Sequence, residues 1–257
     1  MTLLKSAIRA AVLTPVRRLR KRARRAQRQR DERTLLQYAP LAVLRGPFAG
    51  MRLQGACSPI GPKVLGTHEL ELAPVIERLC RSDVRHIVNV GAADGFYAVG
   101  LLRHLGTARA IAFELLAPLH ASMRTLAASN GVAERLDIRG ACDRDALSAV
   151  LGDGTRTLVI MDVEGAERDL LDPGHNAALR RAQILVELHD FVDPAISRTI
   201  RSRFVQTHAV TVYRSRKRTQ ADLPPIAGVD GATLLRLADE GRPTEMEWFW
   251  LEPHVGS

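Results

Sequence analysis

Cysteine is scarce in this chain of 257 residues: Cys57, Cys80 and Cys142 stand far apart, odd in number and without a C-x-x-C pair. That excludes a disulfide framework and a cysteine-built zinc site, and it fits a reducing compartment. Long apolar runs are missing as well. No stretch approaches the roughly 18 residues that span a bilayer, and Lys5, Arg9 and Pro15 interrupt residues 1–16 too often for the apolar core of a secretory signal. A cytoplasmic location is expected, and the sequence has no internal repeats. Acids are nearly absent from the start of the chain. Residues 1–36 hold twelve Lys and Arg against Asp31 and Glu32, a net +10, so the remainder carries −1 of the total +9. The basic balance belongs to the tail.

Between residues 17 and 33, ten of seventeen positions are Arg or Lys and none is aromatic. The charges fall on every side of any helix formed there, leaving no face to bury, so the segment is expected to be solvated or bound to a partner. Without aromatics to stack on bases, single-stranded nucleic acid is the weaker partner. Leu4, Ile8, Val12 and Val16 recur every fourth residue just before the basic run. That favours peripheral contact of residues 1–33 with an anionic membrane, at its inner face. The Ala/Arg bias runs through the whole chain, so it reads as a GC-rich bacterial gene rather than an organellar transit peptide. Residues 1–34 are expected to form a flexible or helical basic tail. Residues 35–257 are expected to form one domain, because strand and helix patterns run without a linker from Leu35 to Pro253.

Within that domain the informative stretch is His86-Ile87-Val88-Asn89-Val90-Gly91-Ala92-Ala93-Asp94-Gly95-Phe96-Tyr97-Ala98. An apolar run ends in a small-residue turn, and a helix-period pattern (Phe96, Val99, Leu102) follows at once. This strand–loop–helix form suits a nucleotide-type cofactor, with the glycines letting backbone N–H groups approach a ligand. The G-x-x-x-G spacing is neither the G-x-G-x-x-G of dinucleotide enzymes nor, lacking a Lys-Ser/Thr, a P-loop. The next apolar run, Arg109–Phe113, closes with Glu114, a carboxylate placed to accept both hydroxyls of a ribose.

Further strands are expected near 86–90, 109–114, 135–140, 157–162 and 183–189, and over Phe204–Val212 and Met246–Leu251. The intervening helices include 116–129, stopped by Asn130-Gly131. Residues 40–66, rich in Gly and Pro, look like a short hairpin with loops. Leu72, Val75, Ile76 and Leu79 follow helix spacing. Alternation of this kind implies a doubly wound parallel sheet with helices on both faces.

Four motifs occur in order: Asn89–Gly95, Phe113-Glu114, Met161-Asp162-Val163-Glu164-Gly165-Ala166-Glu167 and Val186-Glu187-Leu188-His189. The stretch from about Val88 to Phe191 resembles a class I S-adenosyl-L-methionine (SAM)-dependent methyltransferase, and is most similar to the FkbM type. The resemblance implies a seven-stranded Rossmann-like sheet of order 3-2-1-4-5-7-6, last strand antiparallel, and SAM as cofactor. It also implies that Glu114, with Leu115 beside it, binds the ribose, and that the Gly91-Ala92 backbone holds the methionine end. Asn89, Tyr97 and Asp162 would complete the cofactor's surroundings. The turn through Cys142 would flank the adenine. The first motif opens with Asn89 where the family usually has Asp, an amide that hydrogen-bonds without adding charge.

All four motifs fall at carboxyl ends of strands, where ligands of open sheets bind. The Asp162–Gly165 loop lacks the Asn/Asp-Pro-Pro-aromatic pattern of base-amine methyltransferases and offers carboxylates instead, which suit a hydroxyl acceptor. Asp162, Glu164 and His189 are the expected catalytic residues, with His189 as general base. Glu187 and His189 share one strand face and Asp190 the other. In a purely structural reading, Asp162 caps the next helix and Glu167 is an exposed first-turn acid. Asp162, His189 and Asp190 offer a divalent-metal set as in the catechol-type methyltransferases. That family has Asp-Asn where this chain has His189-Asp190, so no metal is expected. His208 is expected to be structural. The function expected is O-methylation of a sugar, glycolipid or small-metabolite hydroxyl. The alternatives are an RNA or protein methyltransferase guided by the tail, or a non-catalytic SAM-fold binding module.

Overall fold

The run Thr157-Leu158-Val159-Ile160-Met161 is buried along its whole length, as a central strand covered on both faces must be. A computed structural model describes residues 22–54, 59–242 and 244–254 and places this strand, β4 (Thr157–Met161), fourth in a seven-stranded sheet. Its companions are β1 (His86–Val90), β2 (Arg109–Phe113), β3 (Leu136–Arg139), β5 (Gln183–Leu188), β6 (His208–Arg214) and β7 (Glu247–Pro253). The order is β3-β2-β1-β4-β5-β7-β6, the one the resemblance implies. Strands β1 to β5 pair in parallel, and β7 runs antiparallel to both β5 and β6.

Alternate side chains feed two cores. Ile87, Leu158, Ile160, Leu185, Trp248 and Trp250 face one layer. It is formed by helices α1 (22–38), α2 (Ile60–Leu65), α3 (Ala73–Leu79), α4 (Phe96–His104), α5 (Ala117–Ser129) and α9 (Gly231–Ala238). Val88, Val90, Val159, Val186 and Phe249 face the other, with α6 (Arg144–Leu151), α7 (Glu167–Leu170) and α8 (Ile196–Phe204). By this parity Asn89 and Glu187 project on the first face at the carboxyl end of the sheet. Among the described residues, no helix is long and apolar enough to cross a membrane.

Four expectations change. The strand expected over Phe204–Val212 begins at His208, because Ile196, Ile200 and Phe204 recur every fourth residue as the buried stripe of α8. The strand expected over Met246–Leu251 runs Glu247–Pro253. The hairpin expected in 40–66 is a single bridge, Ala42 to Arg52. It is followed by α2, which stops at Gly66 in the left-handed region (φ 67°). The fourth concerns the tail. Helix α1 runs through the boundary expected after residue 34 and does bury a face. Leu35 is fully buried, and buried Asp31 accepts two hydrogen bonds from Arg236 of α9, at 2.9 and 3.0 Å. The buried stripe was hidden because one of its positions is an aspartate. Leu4, Ile8, Val12, Val16 and Cys57 lie outside the described residues.

Candidate active site

After β1 the chain must turn sharply to enter α4, and the glycines make the turn possible in an unexpected way. Gly91 has φ 73°, and a Cβ there would sit 1.7 Å from the Asp162 carbonyl oxygen. A Cβ on Gly95 (φ 84°) would sit 2.5 Å from Cγ of Met123. The absent side chains let β4 and α5 pack against the loop. The first three N–H groups of the loop are already donated. Those of Gly91 and Ala92 go to the Phe113 carbonyl, at 3.0 and 2.9 Å, and that of Ala93 goes to Glu114 Oε2 at 2.8 Å.

Beside this loop opens a crevice of about 360 Å³. Asn89, Gly91, Ala92, Tyr97, Asp162 and Glu164 line it, all of them expected from the sequence. Glu187, Glu69 and Lys63 line it too. Glu114 lies behind the loop, not in the lining. Its two carboxylate oxygens accept from the Ala93 and Leu116 N–H groups, which fixes the loop's shape. Leu115 is exposed just past β2, and Cys142 is half-buried with its thiol donating to the Asp143 carbonyl; neither belongs to the lining.

The carboxyl ends of β4 and β5 bring three expected groups together, Asp162, Glu164 and His189, with Glu167 beside them, although His189 does not line the crevice. His189 is buried, with Nδ1 2.5 Å from Glu167 Oε1. Its Nε2 lies 3.5 Å from both Asp162 Oδ1 and Glu164 Oε2. Glu167 is fully buried, which corrects the expectation of an exposed first-turn acid, and the capping role expected of Asp162 falls with it. Glu164 and Gly165 both adopt positive φ (54° and 117°), so α7 starts only at Glu167, capped by Ala166. That delay turns Glu167 inward. Asp190 accepts from the Ser197 N–H at 2.9 Å and takes no part in the cluster.

Electrostatics follow from crowding acids into one corner, where Glu69, Glu167 and Glu187 are buried and Asp162 is half-buried. Burial pushes the Asp162 carboxyl up to about 7, helped by Glu69 and opposed by His189. Burial, with Glu69 and Asp162, pushes Glu187 up to about 8 against its contact with Arg242. For His189, burial disfavours the charged ring, but the bond and charge of Glu167 and the charge of Asp162 outweigh it and raise its pKa.

Sequence reasoning missed the wall opposite. Glu69, held at φ 44°, hydrogen-bonds the Tyr97 hydroxyl and Arg242. Arg242 lies over the Trp248 ring at 4.7 Å and also binds Glu187 at 2.5 Å. Buried Lys63 pairs with Asp94. These residues come from segments with no motif, and only the fold brings them to the crevice.

Among the described residues, two groups offer metal-ligand atoms within 4.8 Å of one another: His68, Glu69 and Glu240, and Asp162, Glu164 and His189. In the first, Glu69 and Glu240 already bind Arg242, and Glu240 also binds Arg218.

No protein-family model matches the chain, and no curated protein matches its sequence. Among solved structures it is similar to the O-methyltransferase TomG from Streptomyces achromogenes, involved in tomaymycin synthesis and in complex with SAM (16% identity over 77% of this chain and 82% of that one, TM-score 0.48). It is also similar to an O-methyltransferase from Bacillus cereus in complex with S-adenosylhomocysteine (SAH) (11%, 80% and 84%, TM-score 0.47). A third similar structure is an rRNA methylase from Streptococcus thermophilus (10%, 72% and 97%, TM-score 0.49). At these identities and TM-scores the likeness carries no argument about chemistry or substrate.

Proposed function

We propose that the chain is a SAM-dependent methyltransferase of FkbM type that methylates a hydroxyl of a sugar, glycolipid or other small metabolite. The observation that carries this reading is the composition of the crevice. It lies at the carboxyl ends of β1, β4 and β5, beside the point where strand order reverses. The Gly91, Ala92 and Ala93 amides are taken within the protein, and Glu69, Asp162, Glu164, Glu187 and Lys63 line it. With Lys63 in the lining and Arg242 paired to Glu69 and Glu187, the site carries both signs of charge, which suits a ligand with positive charge on sulfur and nitrogen and a carboxylate of its own. Bound there, SAM supplies a sulfonium methyl group, which an oxygen can take as the carbon–sulfur bond breaks with its electron pair left on sulfur.

The chain's own residues then divide the work. Glu114, fixed behind the loop, accepts from the Ala93 and Leu116 N–H groups and so holds the wall that faces the ribose. Asn89, Gly91, Ala92 and Tyr97 form the wall along which the cofactor lies. Asp162, Glu164 and His189 receive the acceptor hydroxyl and favour loss of its proton. The test is incubation of purified protein with methyl-labelled SAM and fractionated metabolites, lipids, RNA and protein. Label in base-stable ethers of small hydroxyl compounds or glycolipids supports the reading; label only in RNA or protein overturns it.

A further inference from the structure

Two observations meet at Lys63. The first is its place. Helix α2 is buried at all six positions, and Gly61 lets it press on α9, where a Cβ would stand 2.7 Å from the Leu237 carbonyl oxygen. Lys63 is thereby held away from bulk water, with a side chain only 3% exposed, and it borders the crevice. Among the described residues it is the one Lys or Arg in a lining that also holds Glu69, Asp94, Asp162, Glu164 and Glu187. Its ammonium pairs with one oxygen of Asp94 and lies 5.2 Å from the centre of the Phe96 ring. The other Asp94 oxygen accepts from the Phe96 N–H at 3.3 Å. Desolvating an ammonium is costly. A position that served only to pack α2 against α4 would be filled at less cost by an apolar side chain.

The second observation concerns the β1 loop. The Gly91 and Ala92 amides, expected to hold the methionine end of the cofactor, donate to the Phe113 carbonyl, and that of Ala93 donates to Glu114. SAM and SAH both carry an α-carboxylate at that end. In a crevice rich in acids, such a group needs a cation beside it. Helix α4 begins at Phe96, two residues after Asp94, so the positive end of its dipole adds to the ammonium.

We propose that Lys63 binds the α-carboxylate at the methionine end of the cofactor, so that the site selects SAM and SAH over their decarboxylated forms. The assignment rests on the SAM-dependent reading. An ammonium has three N–H donors, which lets Lys63 serve Asp94 and the ligand together. Asp94 is then the residue that positions the ammonium. Lys63 comes from α2, outside the Val88–Phe191 stretch that carries the four motifs, and those motifs assign nothing to it.

The probes are SAH and its decarboxylated analogue S-adenosyl-3-thiopropylamine, which keeps the adenosine, sulfur and ammonium and lacks the carboxylate. Each is titrated calorimetrically into the full chain. The unsubstituted chain should bind SAH about 10–150-fold more tightly than the analogue, the range for hydrogen bonds to a charged group. In Lys63→Met, which keeps the length of the side chain without its charge, SAH affinity should fall by that factor while affinity for the analogue does not fall. If Lys63→Met fails to fold because Asp94 is left unpaired, Lys63→Met/Asp94→Asn removes both charges and carries the test. A purely structural ion pair would weaken both ligands equally. That result, an unchanged preference in either variant, or an unsubstituted chain without preference overturns the assignment and leaves the SAM-dependent reading standing. A folded, unsubstituted chain that binds neither ligand overturns that reading, and the assignment falls with it.

Discussion

Replacing Gly91 by alanine tests the packing on which the site depends. The backbone there has φ 73°, a region that costs a residue with a Cβ about 1–2 kcal/mol. The added carbon would also lie 1.7 Å from the Asp162 carbonyl oxygen, where real contacts essentially never fall under 3.0 Å. Relief requires β1 and β4 to part by more than an ångström at the Asp162 N–H to Val90 O hydrogen bond, now 3.0 Å. Overpacking of this kind adds about 1–3 kcal/mol. The total is about 2–5 kcal/mol, or a fall in Tm of roughly 4–20 °C for a domain of this size. Gly131 supplies the control: its φ is 70°, but a Cβ there meets nothing within 4 Å. Gly131→Ala should show the backbone effect alone, about 1–2 kcal/mol. Denaturant unfolding of both variants measures the difference. If Gly91→Ala is no more destabilised than Gly131→Ala, the close approach of β1 and β4 is wrong, and with it the placement of Asp162.

Leu35→Ala should destabilise the domain by about 2–5 kcal/mol in denaturant unfolding, because α1 is packed into the core; a loss under 1 kcal/mol would mean that it is not. His208 is kept neutral by burial, with Nε2 2.9 Å from the Ala182 carbonyl, so its folded pKa lies below its unfolded one. Its contribution is present above the unfolded value, near 6.5, and is lost as pH falls toward the folded one. Melting temperature should therefore drop from pH 7 to pH 5, and less so in His208→Gln; equal drops would contradict this. We propose that the exposed arginines of α1 meet anionic lipid. Replacing Arg22, Arg25, Arg30 and Arg33 by Gln should cut salt-sensitive sedimentation with phosphatidylserine vesicles, and unchanged sedimentation would refute it.

What the sequence discloses here is local. The β1 loop, the Glu114 strand end and the Asp162–Gly165 turn are each written in a few neighbouring residues. Their convergence follows from strand order, which the motif resemblance supplies. Glu167 was misread because its orientation depends on positive φ at Glu164 and Gly165, which postpones the helix. Glu69, Lys63 and Arg242 reach the crevice from segments with neither periodicity nor motif. The Glu69–Arg242 bond spans 173 positions, so only the folded chain reveals it. Helix α1 shows the opposite error: its charge suggested a segment with no face to bury, solvated or bound to a partner, but the contact of buried Asp31 with half-exposed Arg236 makes the polar stripe a packing surface. The glycines were rightly singled out, for an incomplete reason. They admit neighbouring strands and helices, a role that the motif alone did not disclose.

Calorimetric titration of the full chain with SAH tests the central claim most directly. The account predicts one site per chain. It also predicts that Glu114→Ala, confirmed folded by its melting curve, binds about 10–150-fold more weakly, the loss of roughly 1.5–3 kcal/mol expected for hydrogen bonds to a charged group. No saturable binding of SAH, or an affinity unchanged by Glu114→Ala, would contradict it.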